Sequence, residues 1–169
     1  MVKMARYCVA LLIIAGCGGE GPYRMTVESH GTKIVVGKFT RSLLESDSSF
    51  SWYRRNYDAF TPDSASIAYL STAAHDVHFI VVAGTWCGDT KYELPKFFKT
   101  VSLSHIPETN IELYGVDRSK ISNDGLTEKY GVTRVPTFIL FSDGKEIGRI
   151  VESTKNGMEF DLAGLLKKK

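Results

Sequence analysis

Cysteine is scarce in this sequence. Its three cysteines in 169 residues, Cys8, Cys17 and Cys87, are too few for a disulfide scaffold. Long apolar runs are missing too. A membrane-crossing helix needs about 20 apolar residues, and the run "CVALLIIAG" over 8–16 is far shorter. No sign of charge dominates: 21 basic residues face 19 acidic ones, with no basic stripe of the kind a nucleic-acid partner requires. The closing "KKK" of 167–169 reads as a solvated helix end. Internal repeats and low-complexity tracts are absent, and the length suits one globular domain with its own core.

What is present begins with a leader. Lys3 and Arg6 precede the apolar run, a charged-then-apolar order that fits a signal peptide over 1–16. The run ends in "IAGC", which resembles the lipobox of bacterial lipoproteins. That resemblance implies cleavage before Cys17 and a lipid on its sulfur; the other reading is an ordinary signal peptide in which "AGC" is coincidence. Gly18 is not the acid that retains such proteins at an inner membrane, so the expected place is the cell envelope, facing the periplasm from the outer membrane. Without the leader, which carries Lys3, Arg6 and no acid, basic and acidic residues are equal at 19 each. Cys87 is then the one thiol left free, and an internal disulfide has no partner.

Four regions are expected: the leader (1–16), a Gly-, Pro- and polar-rich tether (17–31), an N-terminal extension (32–61) and the main domain (62–169). In the extension "KIVVGKF" predicts a strand and "TRSLLE" a short helix opened by Thr40. The aromatics Phe50, Trp52, Tyr53, Tyr57 and Phe60 either pack this segment onto the domain or wall a substrate groove. Thr61 as cap and Pro62 as first residue predict a helix with Ile67, Leu70 and Ala74 on one face. "VHFIVVAG" predicts a central strand buried on both faces. A helix with Leu94, Phe97, Phe98 and Val101 inward follows, then the strand "NIELYGVD" and a short helix closed by Gly131. "PTFILF" and "KEIGRIV" flank the turn "SDG" as a hairpin, and "MEFDLAGLLKK" predicts a closing helix. The fold class is α/β, with a mixed sheet flanked by helices.

Four stretches in register carry a family resemblance. "WCGD" follows the central strand and opens a helix; Lys91 and Pro95 come four and eight residues after Cys87; "KYGVTRVPTFILF" surrounds Pro136; "DGKEIGRIV" forms the hairpin. Together they resemble the thioredoxin superfamily over about residues 62–167, and more narrowly lipid-anchored or secreted bacterial members with W-C-x-D-[ST] sites. The resemblance implies a thioredoxin-like fold, a cis bond before Pro136, and a Val135 backbone that hydrogen-bonds an extended substrate beside the sulfur. It implies no cofactor. It also marks two departures: Thr90 stands where dithiol members have the resolving cysteine, and Val81 where they have a buried proton-relaying acid.

The candidate catalytic set is therefore Cys87, Thr90 and Pro136, with Trp86, Asp89, Arg134 and Val135 as substrate contacts. The positive end of a helix favours a thiolate at Cys87, the Thr90 hydroxyl one turn on is placed to donate to it, and Asp89 opposes the charge. Arg134 offsets Asp89 or attracts an anionic substrate. One sulfur can form a mixed disulfide that only an external thiol releases. The expected function is monothiol thiol–disulfide exchange with protein or small-molecule thiols and disulfides. The alternative is a non-catalytic peptide- or protein-binding module, and the third reading, a thiol peroxidase, meets Gly84 where a Thr or Ser is wanted. "HDVH" at 75–78 reads as loop histidines and no metal is expected.

Overall fold

The computed structural model describes residues 23–74, 76–122 and 125–167. The leader, Cys17 and Gly18 lie outside the described residues, as does His75. Among the described residues six strands form one sheet: β1 (Tyr23–Val27), β2 (Lys33–Phe39), β3 (Val77–Ala83), β4 (Ile111–Gly115), β5 (Thr137–Ser142) and β6 (Lys145–Val151), in the order β1-β2-β4-β3-β5-β6. β3 and β4 are parallel and every other neighbouring pair is antiparallel. The sheet is mixed because a helical crossover joins β3 to β4, while the turn at Asp143 and Gly144, both at positive φ, folds β6 straight back on β5.

The same residues form the helices α1 (Arg41–Ser46), α2 (Ser51–Ala59), α3 (Ser64–Ala73), α4 (Gly88–Leu103), α5 (Leu126–Lys129) and α6 (Met158–Leu166). The larger core joins one face of the sheet to helices α1 to α4 and α6, through Val81, Leu94, Phe97, Phe98, Val101 and Phe138 among others. A smaller core under α5 holds Ile80, Val82, Val116, Val135 and Ile139, with Trp86 and Cys87 at its margin. β3 sits between β4 and β5 and is buried along nearly its whole length, which explains its unbroken apolar sequence.

Two local expectations are corrected. The segment read as a tether is partly structured, since Tyr23–Val27 pairs antiparallel with β2. The alternation of half-buried and exposed residues along it hides a strand inside a polar, glycine-rich context. The start of α3 also shifts: Asp63, not Thr61, is the cap, and its carboxylate accepts from the Ser66 N–H at 2.8 Å. Pro62 consequently precedes the helix.

The aromatics of the extension serve as packing. Phe50 and Tyr53 are buried, and the Tyr53 ring meets Phe98 of α4 edge-on at 6.2 Å between centroids. A polar contact joins the same helices. Pro95 lies inside α4 and has no N–H for the Lys91 carbonyl one turn back. The Asn56 carboxamide of α2 donates to that carbonyl at 2.8 Å. The proline thus opens a backbone acceptor, and the extension fills it.

Candidate active site around Cys87

β3 ends at Ala83, and residues 84–86 carry the chain over the sheet edge into α4. Gly84 is buried under the Trp86 indole, where a Cβ would come within 2.8 Å of the ring. Thr85 fixes this loop to β2: its hydroxyl donates to the Lys33 carbonyl at 2.8 Å and accepts the Val35 N–H at 3.2 Å. Cys87 is the N-cap of α4 with extended backbone angles, and its carbonyl accepts the Lys91 N–H at 3.1 Å. The sulfur therefore sits half-buried at the positive end of a long helix.

The thiol of Cys87 donates to the Val135 carbonyl at 3.3 Å. The Val135–Pro136 peptide is cis, as the resemblance implies. Loop contacts hold it in place: the Thr137 hydroxyl donates to the Arg134 carbonyl at 2.7 Å, and the Pro136 carbonyl accepts the Glu152 N–H at 2.7 Å. Cys87, Val135 and Pro136, distant in sequence, thus meet at one end of the sheet.

Thr90 is fully buried, and its hydroxyl oxygen accepts the Gly84 N–H at 3.3 Å. As an acceptor it ties the helix back to the loop. Arg134 is committed elsewhere as well: its guanidinium donates to Glu152 at 2.8 Å, so it does not neutralise Asp89, which stands exposed in the first turn of α4. Val81, where an acid would stand in a dithiol site, is buried against apolar neighbours.

Trp86 has partners that its sequence neighbourhood does not announce. Its indole N–H donates to the Val116 carbonyl at 3.0 Å, and the Arg118 guanidinium lies over its ring at 5.1 Å. Glu28 grips Arg118 with two hydrogen bonds of 2.6 and 2.8 Å. Hydrogen bonding from Arg118 draws the Glu28 carboxyl below its usual range, and the same pair pushes Arg118 up. A usable clue did exist: Val116 to Arg118 directly follow β4, and ligands in such sheets gather beyond the carboxyl ends of parallel strands. Nothing local marks Glu28.

At the far end of the sheet His78 contacts Glu112 at 2.9 Å. Among the described residues no cluster of three His, Cys, Asp or Glu side chains is arranged to hold a metal.

The family model for thioredoxin matches residues 67–162, more than half of the chain. A thioredoxin of Echinococcus granulosus is 34% identical over 74 residues, a stretch covering 44% of this chain and 64% of that protein. A thioredoxin of Chlamydia caviae is 36% identical over 69 residues, covering 39% and 59% respectively. The chain thus spans less than two thirds of the curated relatives it matches. Among solved structures, a protein of unknown function from Pseudomonas aeruginosa superposes with a TM-score of 0.53 over 79% of this chain and 84% of its own, at 17% identity. That likeness concerns the fold alone.

Proposed function

Since this chain belongs to the thioredoxin family, we propose that it performs thiol–disulfide exchange through the single sulfur of Cys87, as a lipoprotein held by Cys17 at the periplasmic side of a bacterial outer membrane. One observation carries the chemical part: a half-buried cysteine caps α4 beside cis-Pro136, while the resolving position holds the buried Thr90. The Cys87 thiolate attacks one sulfur of a substrate disulfide. A Cys87–substrate S–S bond forms as the substrate's own S–S bond breaks, and the departing thiolate takes a proton. An external thiolate then attacks the substrate sulfur of the mixed disulfide. A substrate–external S–S bond forms as the Cys87–substrate bond breaks, and the Cys87 thiolate is restored with no net change in oxidation state across the two exchanges. Trp86 and the Val135 backbone flank the bound chain.

The thiol hydrogen bond to Val135 favours a second reading. A sulfur satisfied within its own groove leaves the fold to act as a peptide-binding module. Native protein incubated with oxidised glutathione and analysed by mass spectrometry separates the two. Glutathione on Cys87 is expected. If native Cys87 stays unmodified while the unfolded chain reacts readily, the binding module replaces exchange. The anchor has its own test: labelled fatty acid is expected to enter the protein in a bacterial host and to be lost in Cys17→Ala, and label retained in that variant would remove the lipid claim.

A further inference from the structure

The arginine over Trp86 has no role in the exchange chemistry, yet it is built into the site from two directions. Arg118 follows β4, the parallel neighbour of the strand that delivers Cys87. Its guanidinium carbon lies over the indole of the residue adjacent to Cys87, 5.1 Å from the ring centroid. Glu28 reaches over from the turn between β1 and β2 and holds the Nε and one Nη. The two members are not equally covered: the Arg118 side chain is 52% exposed and Glu28 23%. Glu28 also meets the His30 imidazole at 3.1 Å, so Arg118 is the more exposed member of its pair while the carboxylate serves two partners. A side-on grip on Nε and one Nη leaves the other terminal nitrogen with its hydrogens directed away from Glu28.

A cation–π contact with an indole together with a bidentate carboxylate fixes a side chain that otherwise samples many rotamers. An arginine immobilised in this way is pre-organised for a planar anion. The chain that supplies the clamp is the N-terminal hairpin, which Thr85 also binds to the loop before Cys87.

We propose that Arg118 is the specificity-determining residue for the exchange at Cys87, selecting disulfides that carry a carboxylate next to the reacting sulfur, and that Glu28 is the residue that positions it. The inference rests on the exchange reading above. The substrate class is a carboxylate-bearing disulfide, whether a small peptide disulfide or an acidic segment of a protein. Arg134, on the Pro136 side, is held by Glu152 through one hydrogen bond of 2.8 Å and lacks the two-point clamp that fixes Arg118.

The test is a ratio of rates. Mixed-disulfide formation at Cys87 is followed under single-turnover conditions with two small probes, anionic oxidised glutathione and cationic cystamine. Arg118→Gln is expected to lower the glutathione-to-cystamine ratio about fivefold at low salt, and the gap should shrink in high salt as screening removes it. Arg118→Lys, which keeps the charge, should retain most of the ratio. Glu28→Gln, which breaks the two-point clamp, should move the ratio part of the way toward that of Arg118→Gln, and a rise instead would overturn its positioning role. A general loss of structure changes the rates with both probes together and does not depend on the sign of their charge, so an unchanged ratio in Arg118→Gln overturns the proposal. An equal fall in Lys145→Gln, at the opposite end of β5 from Pro136, would reduce the effect to net charge and overturn it too. If wild-type Cys87 reacts with neither probe while the unfolded chain reacts with both, the exchange reading itself falls and this inference with it.

Discussion

The Asn56 carboxamide donates to the Lys91 carbonyl at 2.8 Å, the acceptor that Pro95 leaves without an N–H partner inside α4. The helix that begins with the candidate nucleophile is thereby held by a side chain from the N-terminal extension. Removing Asn56 strands a partly buried carbonyl, at a cost of about 1–2 kcal/mol. Restoring a helical N–H with Pro95→Ala supplies a new donor. The expectation is therefore non-additivity: Asn56→Ala destabilises the wild-type background, and does so by about 1 kcal/mol less in Pro95→Ala. Urea unfolding of the four proteins measures this, and equal losses in both backgrounds would refute the compensation.

Gly115 ends β4 opposite β2. A Cβ placed there would overlap the Val35 carbonyl oxygen, which belongs to the backbone and cannot swing aside. Gly115→Ala should lower stability by about 2–3 kcal/mol, because β2 must move off β4. Gly144 gives the contrast. It stands at φ +73 with no atom within 4 Å of the place a methyl would take, so alanine there costs only the left-handed strain of about 1–2 kcal/mol. Thermal unfolding of the two variants should rank them in that order.

Much of this architecture is legible in the sequence because it rests on local rules. The apolar run of β3, the inward Leu94, Phe97, Phe98 and Val101 of α4, and the Asp143–Gly144 turn each announce themselves by periodicity or turn chemistry. The meeting of Cys87 with Val135 is reachable only through family resemblance, since 48 residues separate them. The clamp on Trp86 is reachable only in part, since Arg118 follows a parallel strand but nothing local marks Glu28. Glu28 acts across 90 residues of chain, from a segment whose glycine-rich composition suggests a linker. Thr90 shows a further limit: helical spacing places it near the sulfur, but does not reveal that its oxygen accepts the Gly84 N–H.

Glu112 links three strands on one sheet face, accepting from Tyr114 at 2.6 Å, Lys38 at 2.9 Å and His78 at 2.9 Å. Partial burial raises its pKa, but hydrogen bonds from Tyr114, Lys38 and His78 outweigh this and bring it down to about 2, against 4.5 unperturbed. A carboxyl depressed in the folded state adds stability above its unfolded pKa, and that contribution fades as pH falls through the folded value. Glu112→Gln should therefore be less stable than wild type at pH 7, by about 1–2 kcal/mol once solvent screening is allowed for. The difference should shrink from about pH 4.5 downward. Melting temperatures of both proteins across that range provide the check, and a difference that stays constant into strong acid would contradict the network.

Thr90 allows the single-sulfur reading to be inverted. It occupies the resolving position, is fully buried, and accepts the Gly84 N–H through its hydroxyl oxygen. A thiol there is a poorer acceptor, so Thr90→Cys should lose about 1 kcal/mol in the reduced state. Oxidation should then join the introduced thiol to Cys87, visible as the mass of a lost hydrogen pair and as protection from alkylation. Insulin reduction should appear where the wild type has little, but only in part, because Val81 is apolar and fully buried and leaves no acid beside the second sulfur to carry its proton. Adding Val81→Asp should raise that activity further if the proton is what limits it. Wild-type protein that reduces insulin as well as Thr90→Cys does would mean that the missing sulfur was never needed, and the monothiol mechanism would fall.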